Sequence, residues 1–265
     1  MISQSKATII IPARYESSRF PGKPLAMING LTMIERVWRI ANNCKHADAV
    51  YIATDSEIIA EHVKLFGAKV IMTDESCRTG TDRVAQATED FTDENAIVVS
   101  LQGDAVLTPP WIIDEVIHAM KQHDTVCLAT PAVKLKGQAL QDFLAHKKIS
   151  PSSGTTVVFD KERNALYFSK QPIPFDYNAN SPEAYLYRHI GLYAYRVNTL
   201  RQLQALEQSP LEKQEKLEQL RALENGIPIR IVCVDYQGRS HGSVDTPQDV
   251  KVIEKIIAAE GELVA

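Results

Sequence analysis

Cysteine is scarce in this chain, and Cys44, Cys77, Cys127 and Cys233 are too widely separated to form a CxxC pair or a zinc spacing. That excludes a disulfide scaffold or a zinc ribbon and points to ordinary thiols in a reducing compartment. Nowhere do about 18 apolar residues run together, and the amino terminus has only a brief apolar stretch before charge appears. Positive charge is not in excess either: 29 Lys and Arg face 33 Asp and Glu, a net charge of −4. Such a balance creates no general attraction for nucleic acid or an anionic membrane. A cytoplasmic protein without nucleic-acid or membrane partners is expected. Also absent are GxGxxG and GxxxxGK(S/T), so backbone amides cannot supply most of any phosphate binding as they do in those loops.

What is present begins with the stretch from Pro12 to Leu25, PARYESSRFPGKPL, directly after the strand-like run Ala7 to Ile11. Pro12, Pro21, Gly22 and Pro24 keep it from becoming a helix. Arg14, Arg19 and Lys23 therefore lie in one loop at the carboxyl end of a first strand, where open α/β sheets place ligands. Arg presents a planar fork of donors and Lys a compact charge, which together suit a polyphosphate. Three solvated cations in a surface turn are the plainer alternative.

With 265 residues, 45% of them hydrophobic, the chain has material for a sizeable core. The pattern predicts helices over Thr32 to Ala41, Ser56 to Phe66 and Thr81 to Phe91, and strands over Ala49 to Ala53, Ala68 to Met72 and Ala96 to Leu101. That alternation implies right-handed crossovers and a mostly parallel sheet. After about residue 130 a hairpin is expected from Thr155 to Phe159 and Ala165 to Phe168, then a long loop, then a strand over Tyr187 to Tyr195. Ser209 to Glu224 reads as one continuous helix, Ile229 to Val234 as a strand and Thr246 to Ala259 as a closing helix.

Asp104 follows a buried strand in the tripeptide Gln102, Gly103, Asp104 and should emerge beside the basic loop. A magnesium ion there would need one or two carboxylates and would take phosphate oxygens and water for the rest. Asp245 is a second candidate, although Asp before Thr-Pro also suits a helix cap. The polar loop from Arg78 to Arg83 offers amides and hydroxyls either to a nucleotide or to a helix start, and His189 is either a structural histidine or a functional one.

Together these pieces resemble the CMP-Kdo synthetases, the 3-deoxy-manno-octulosonate cytidylyltransferases. The signs are IIPARYESSRFPGKPL, IATD at Ile52 to Asp55, RTGTDR at Arg78 to Arg83, LQGD at Leu101 to Asp104, ALYFS at Ala165 to Ser169, RHIGLYAYR at Arg188 to Arg196, SPLE followed by EQLR, and VDTPQD at Val244 to Asp249. The resemblance implies the three-layer, Rossmann-like α/β fold of the nucleotide-diphospho-sugar transferases, a single domain over 1–265, with 131–225 holding a smaller sugar-binding and dimerisation lobe. It implies attack by the anomeric oxygen of a sugar acid on the α-phosphorus of CTP, with release of pyrophosphate, in a homodimer.

By the same resemblance Arg14, Lys23 and Asp104 are catalytic. Ala13, Thr79, Gly80, Thr81 and Arg83 join Arg14 and Lys23 around the nucleotide. Gln102, Lys170, His189, Tyr193, Glu218 and Gln219 surround the sugar, and Asp104 and Asp245 hold Mg²⁺. The chain departs from the family at Ala105 and Val106, where Glu and Pro are usual, at Lys170 for Arg, and at Thr156 for Lys. Loss of a cation at Thr156 would ease the approach of an ammonium, as in 8-amino-3,8-dideoxy-manno-octulosonate. A cytidylyltransferase for another acid, such as sialic acid, and a silent binding homologue are the rivals.

Overall fold

The computed structural model describes residues 5–16, 20–176 and 185–264. Arg19 of the basic loop and the central part of the long loop after residue 170 lie outside them.

The first strand, β1 (Ala7–Ala13), is buried along its whole length because it lies inside the sheet with helices on both faces. It is followed by the small ribbon β2 (Met27–Ile28) and β3 (Leu31–Thr32), then α1 (Met33–Asn42), β4 (Ala49–Thr54), α2 (Glu57–Lys64), β5 (Lys69–Met72), α3 (Gly80–Gln86), β6 (Ile97–Leu101) and α4 (Pro110–Gln122). The second half contains β7 (Leu128–Lys134), α5 (Gly137–Ile149), β8 (Thr155–Phe159), β9 (Ala165–Ser169), β10 (Tyr187–His189) and β11 (Leu192–Arg196). It closes with α6 (Val197–Gln204), α7 (Pro210–Glu215), α8 (Gln219–Glu224), β12 (Arg230–Cys233) and α9 (Pro247–Glu260).

Ten strands form one sheet in the order β5, β4, β1, β6, β11, β7, β10, β8, β9, with β12 also on β7. The half built from β5, β4, β1 and β6 is parallel throughout, as the alternating pattern required. Pairing in the other half makes β7, β8 and β12 run the same way as these, and β9, β10 and β11 the opposite way. Alternation along β1 divides the core into two layers. Ile9 and Ile11 join a cluster with Val37 of α1, Val116 of α4 and Ile253 of α9, whereas Ile10 joins one with Val84 of α3, Leu200 of α6 and Leu220 of α8. The expected three-layer α/β architecture is present.

Three expected elements differ. The helix read over Ser209 to Glu224 is two helices, α7 and α8, broken at Lys216, whose φ of 56° is left-handed. Tertiary bonds hold the break: Glu215 accepts from the Ser169 hydroxyl and the Lys170 amide, and Arg221 returns to Glu212 through two bonds of 2.7 and 2.8 Å. The strand read over Tyr187 to Tyr195 is interrupted at Ile190 and Gly191, where the Ile190 amide bonds the Pro131 carbonyl and the chain changes neighbours. Helix α3 stops at Gln86, short of Phe91: the amides of Thr88, Glu89 and Phe91 turn to carbonyls three residues back, and the Thr88 hydroxyl also takes the Ala85 carbonyl.

Candidate active site

The carboxyl ends of β1 and β6, the start of α3 and the turn before α9 enclose a cavity of about 260 Å³. Ala13, Arg14, Lys23, Thr79, Gly80, Arg83, Gln102, Asp104 and Asp245 all line it. The fold thus brings together expected site residues from four separated segments. Pro12, Pro24, Cys77, Arg78 and Gly103 complete the wall.

Two glycines allow this closeness. A Cβ on Gly103 would lie 3.0 Å from the Pro12 carbonyl, and one on Gly80 would lie 3.1 Å from the Gln102 side-chain oxygen. The helix start is already satisfied from within: the Thr79 hydroxyl accepts from the Asp82 amide, and the Asp82 carboxylate accepts from the amides of Thr79 and Arg78. With the amides of Arg78, Thr79 and Asp82 committed, anion binding rests mainly on side-chain cations, as the absence of a glycine-rich phosphate motif implied.

Arg83 is almost wholly buried and fixed at its far end by Asp55, 2.6 Å away, and by the Thr73 hydroxyl. Asp55 and Thr73 were not foreseen as site residues. Asp55 closes the IATD segment at the end of β4, so the sheet-edge argument used for Asp104 would have found it. Lys23 donates to Asp104 at 2.6 Å and to the Val244 carbonyl at 2.9 Å. A cation therefore fits between the segment that carries Asp104 and the one that carries Asp245. Two hard carboxylates beside a phosphate-sized cleft are a donor set suited to Mg²⁺. The cap of α9 is Thr246, paired reciprocally with Asp249, so the capping role considered for Asp245 belongs to its neighbour.

Behind α3 lies a second group. Thr81 does not line the main cavity; its hydroxyl donates to Glu218 at 3.2 Å, and it shares a space of about 20 Å³ with Tyr193, Tyr195, Glu218 and Gln219. Burial raises the Glu218 carboxyl above its usual range despite Arg221 and the Thr81 hydroxyl, and the Gln219 side-chain nitrogen is buried without a partner. Tyr193 lies 5.5 Å from the His189 ring, and His189 bonds the Thr130 hydroxyl at 2.8 Å. Burial, helped by the Lys170 ammonium, lowers His189 to about 3, so its ring is neutral. Gln102 links the two groups: its amide reaches Ser100 at 3.4 Å, and Ser100 is paired with Tyr193 across β6 and β11.

The departures from the family pattern are partly internal. Thr156 is fully buried and its hydroxyl bonds the Gln171 carbonyl at 2.6 Å and the Ile173 amide at 3.2 Å, so it secures the chain after β9. Val106 is enclosed in the core and Ala105 packs against the same layer. Lys147 of α5 bonds the carbonyls of Pro151, Gly154 and Lys170, beside the carbonyl that Thr156 holds.

A parallel-sheet cleft with a basic first loop and two carboxylates in its wall occurs in more than one nucleotide-using class, and comparison with known proteins separates them. The sequence profile described as Cytidylyltransferase matches residues 8–231. The chain belongs to the cytidylyltransferase family. It is a nucleotidyltransferase by that membership, and it is 51% identical over 255 residues to a 3-deoxy-manno-octulosonate cytidylyltransferase of Maricaulis maris, across 96% of this chain and 98% of the relative. It is 41% identical over 255 residues to an 8-amino-3,8-dideoxy-manno-octulosonate cytidylyltransferase of Shewanella woodyi, across 96% and 99% of the two chains. In structure this cytidylyltransferase resembles CMP:2-keto-3-deoxy-manno-octonic acid synthetase complexed with CTP, with a TM-score of 0.85 and 35% identity over 97% of this chain and 100% of the other. The family resemblance read from the motifs is thus borne out. No helix among the described residues is long and apolar enough to cross a membrane.

Proposed function

We propose that the protein transfers CMP from CTP to the anomeric oxygen of 3-deoxy-manno-octulosonate, releasing pyrophosphate, as a cytoplasmic, magnesium-dependent homodimer. The observation that carries this reading is the convergence of Arg14, Lys23, Asp104 and Asp245 on one cleft, with Gln102 leading from it to His189, Tyr193 and Glu218. Arg14 and Lys23 bind the triphosphate and neutralise the departing pyrophosphate. Gln102, Tyr193 and the neutral His189 orient the sugar acid, so that its anomeric oxygen faces the α-phosphorus. Asp104 and Asp245 would hold Mg²⁺, which would supply charge neutralisation on phosphate and lower the pKa of a bound hydroxyl.

Lys23 holds one oxygen of Asp104, and the phosphates of a bound nucleotide would give its ammonium another partner, leaving that carboxylate to hold the metal. Burial of Glu218 keeps a carboxyl near the sugar that gives up its proton less readily than an exposed one. For the homodimer, the exposed apolar side chains of Leu166, Phe175 and Tyr185 on the smaller lobe give a surface that a second copy could cover. The plain sugar acid is preferred over the 8-amino form because Thr156, the substitution that favoured an ammonium, is an internal residue.

Pyrophosphate release from CTP and Mg²⁺ with the two sugar acids in parallel tests the reading. Turnover with the plain acid is expected to exceed that with the amino form. Asp104→Asn should lower kcat by at least about 10²-fold while CTP still binds. A wild-type protein that turns over neither acid would support the silent homologue instead.

A further inference from the structure

The sheet has a second cavity, of about 560 Å³, walled by α5, the outer face of β10 and the turn from Tyr236 to His241. Successive residues of a strand point to opposite faces. On β10, His189 turns toward Thr130 and Phe168, and Arg188 turns the other way, beside Val133. The nucleotide cleft has no residue in common with this cavity.

Arg188 is unusual in what it lacks. Its Nε is buried without a hydrogen-bond partner, and among the described residues no carboxylate lies within 4.0 Å of its guanidinium. Its one close contact of note is the ring of Phe143, 5.8 Å from the guanidinium carbon. His241, in the same wall, has a buried Nδ1 without a partner, and burial together with Arg188 lowers it to about 3, so it brings no second charge. Arg239 is already spent on the carbonyls of Glu260 and Gly261. Asp142, the one acid in the wall, accepts from Gln138 at 2.8 Å. A cation held largely out of water without a counter-charge is costly, and the cost is met when an anion enters.

We infer that this cavity is a binding site for a small phosphate or carboxylate compound, anchored by the Arg188 guanidinium with the His241 ring beside it. Leu135, Phe143 and Ile190 give the remaining wall an apolar character that suits the carbon body of an organic anion. The turn that carries His241 continues within four positions to Asp245, so an occupant here borders the segment that shapes the nucleotide cleft.

The test is calorimetric titration of the full chain with inorganic pyrophosphate in the presence of a chelator, and separately with 3-deoxy-manno-octulosonate. Two pyrophosphate sites per chain are expected. Lys23→Ala should remove one and Arg188→Gln the other, each with a loss of at least about 10-fold in affinity. Survival of the Lys23-dependent site in Arg188→Gln shows that the variant is folded. Ala139→Trp, placed on the exposed side of α5 at the cavity rim, should fill the space and produce the same loss without altering Arg188. Arg188-dependent binding of pyrophosphate alone assigns the site to phosphates, and of the sugar acid alone to carboxylates. If neither ligand shows binding that depends on Arg188 and on Ala139→Trp, the inference is overturned. Failure of the Lys23-dependent site with retention of the Arg188 site would count against the proposed nucleotide cleft and leave this one standing.

Discussion

Lys23 shows how much one side chain does in this protein before any ligand arrives. Its ammonium spans Asp104 and the Val244 carbonyl, each carried by a segment that also builds the cleft, and so holds the two sides at a fixed separation. On the proposed reading Mg²⁺ would compete with this ammonium for the same carboxylate, which gives the residue two opposing effects. Lys23→Ala should tighten binding of Mn²⁺, read by its paramagnetic signal without nucleotide, and yet lower kcat/KM for CTP by about 10²-fold. A lysine that only stiffened the loop would weaken both, and that result would remove the competition. Arg83 makes the contrasting case: enclosed and tied to Asp55, it contributes position first and charge second.

Among elements, the break between α7 and α8 matters most to the site. A straight helix over Ser209 to Glu224 would satisfy the leucine spacing, but the buried pair of Glu212 and Arg221 and the bonds to Glu215 require the chain to fold back at Lys216. That fold brings Glu218 to within 3.2 Å of Thr81. Lys216 bears the strain of a left-handed backbone with a side chain attached. Lys216→Gly should therefore raise stability by about 0.5 to 1 kcal/mol in urea denaturation, whereas Lys216→Ala should not. Equal effects of the two would mean that the αL geometry is not a cost. The hairpin of β8 and β9, by contrast, obeys its local sequence closely, since a charged turn between two apolar runs has few alternatives.

For the molecule as a whole, the buried histidines set the response to acid. His189 and His241 are neutral in the folded protein down to about 3, whereas in the unfolded chain each takes a proton near 6.5. Between those values the unfolded state binds more protons, so stability rises with pH across this window and falls as acid is added. The slope should approach about 1.4 kcal/mol per pH unit for each histidine. Glu212 acts in the same direction lower down: burial raises its carboxyl, but the bonds from Arg221 outweigh that and leave it below the usual range, so its contribution is lost as pH falls through that lowered value. Urea denaturation at steps from pH 7 to pH 4 should show this loss, and His189→Gln should reduce the slope. A flat profile would show that these rings are protonated in the folded state. The same neutrality means that His189 adds no limb near its ordinary pKa to the pH–rate profile.

The parallel half of the sheet and the membership of the cleft were legible in the amino-acid sequence. Strands such as Ala7–Ala13 and Ile97–Leu101 are mostly apolar and buried throughout because both faces are covered, and the residues just after each of them emerge at the same sheet edge, which is why Arg14, Lys23 and Asp104 could be placed together. Local rules ran out where distant groups compete for the same backbone. Glu215 and Arg221 divided a helix of good propensity, and Thr246 took the cap that Asp245 was equally suited to fill. Only tertiary packing made Thr156 turn inward, set Thr81 against Glu218 behind the cleft, and left the Arg188 Nε buried without a hydrogen-bond partner. Each of these depends on which surface a side chain meets across the sheet, and that is a property of packing between segments far apart in the chain.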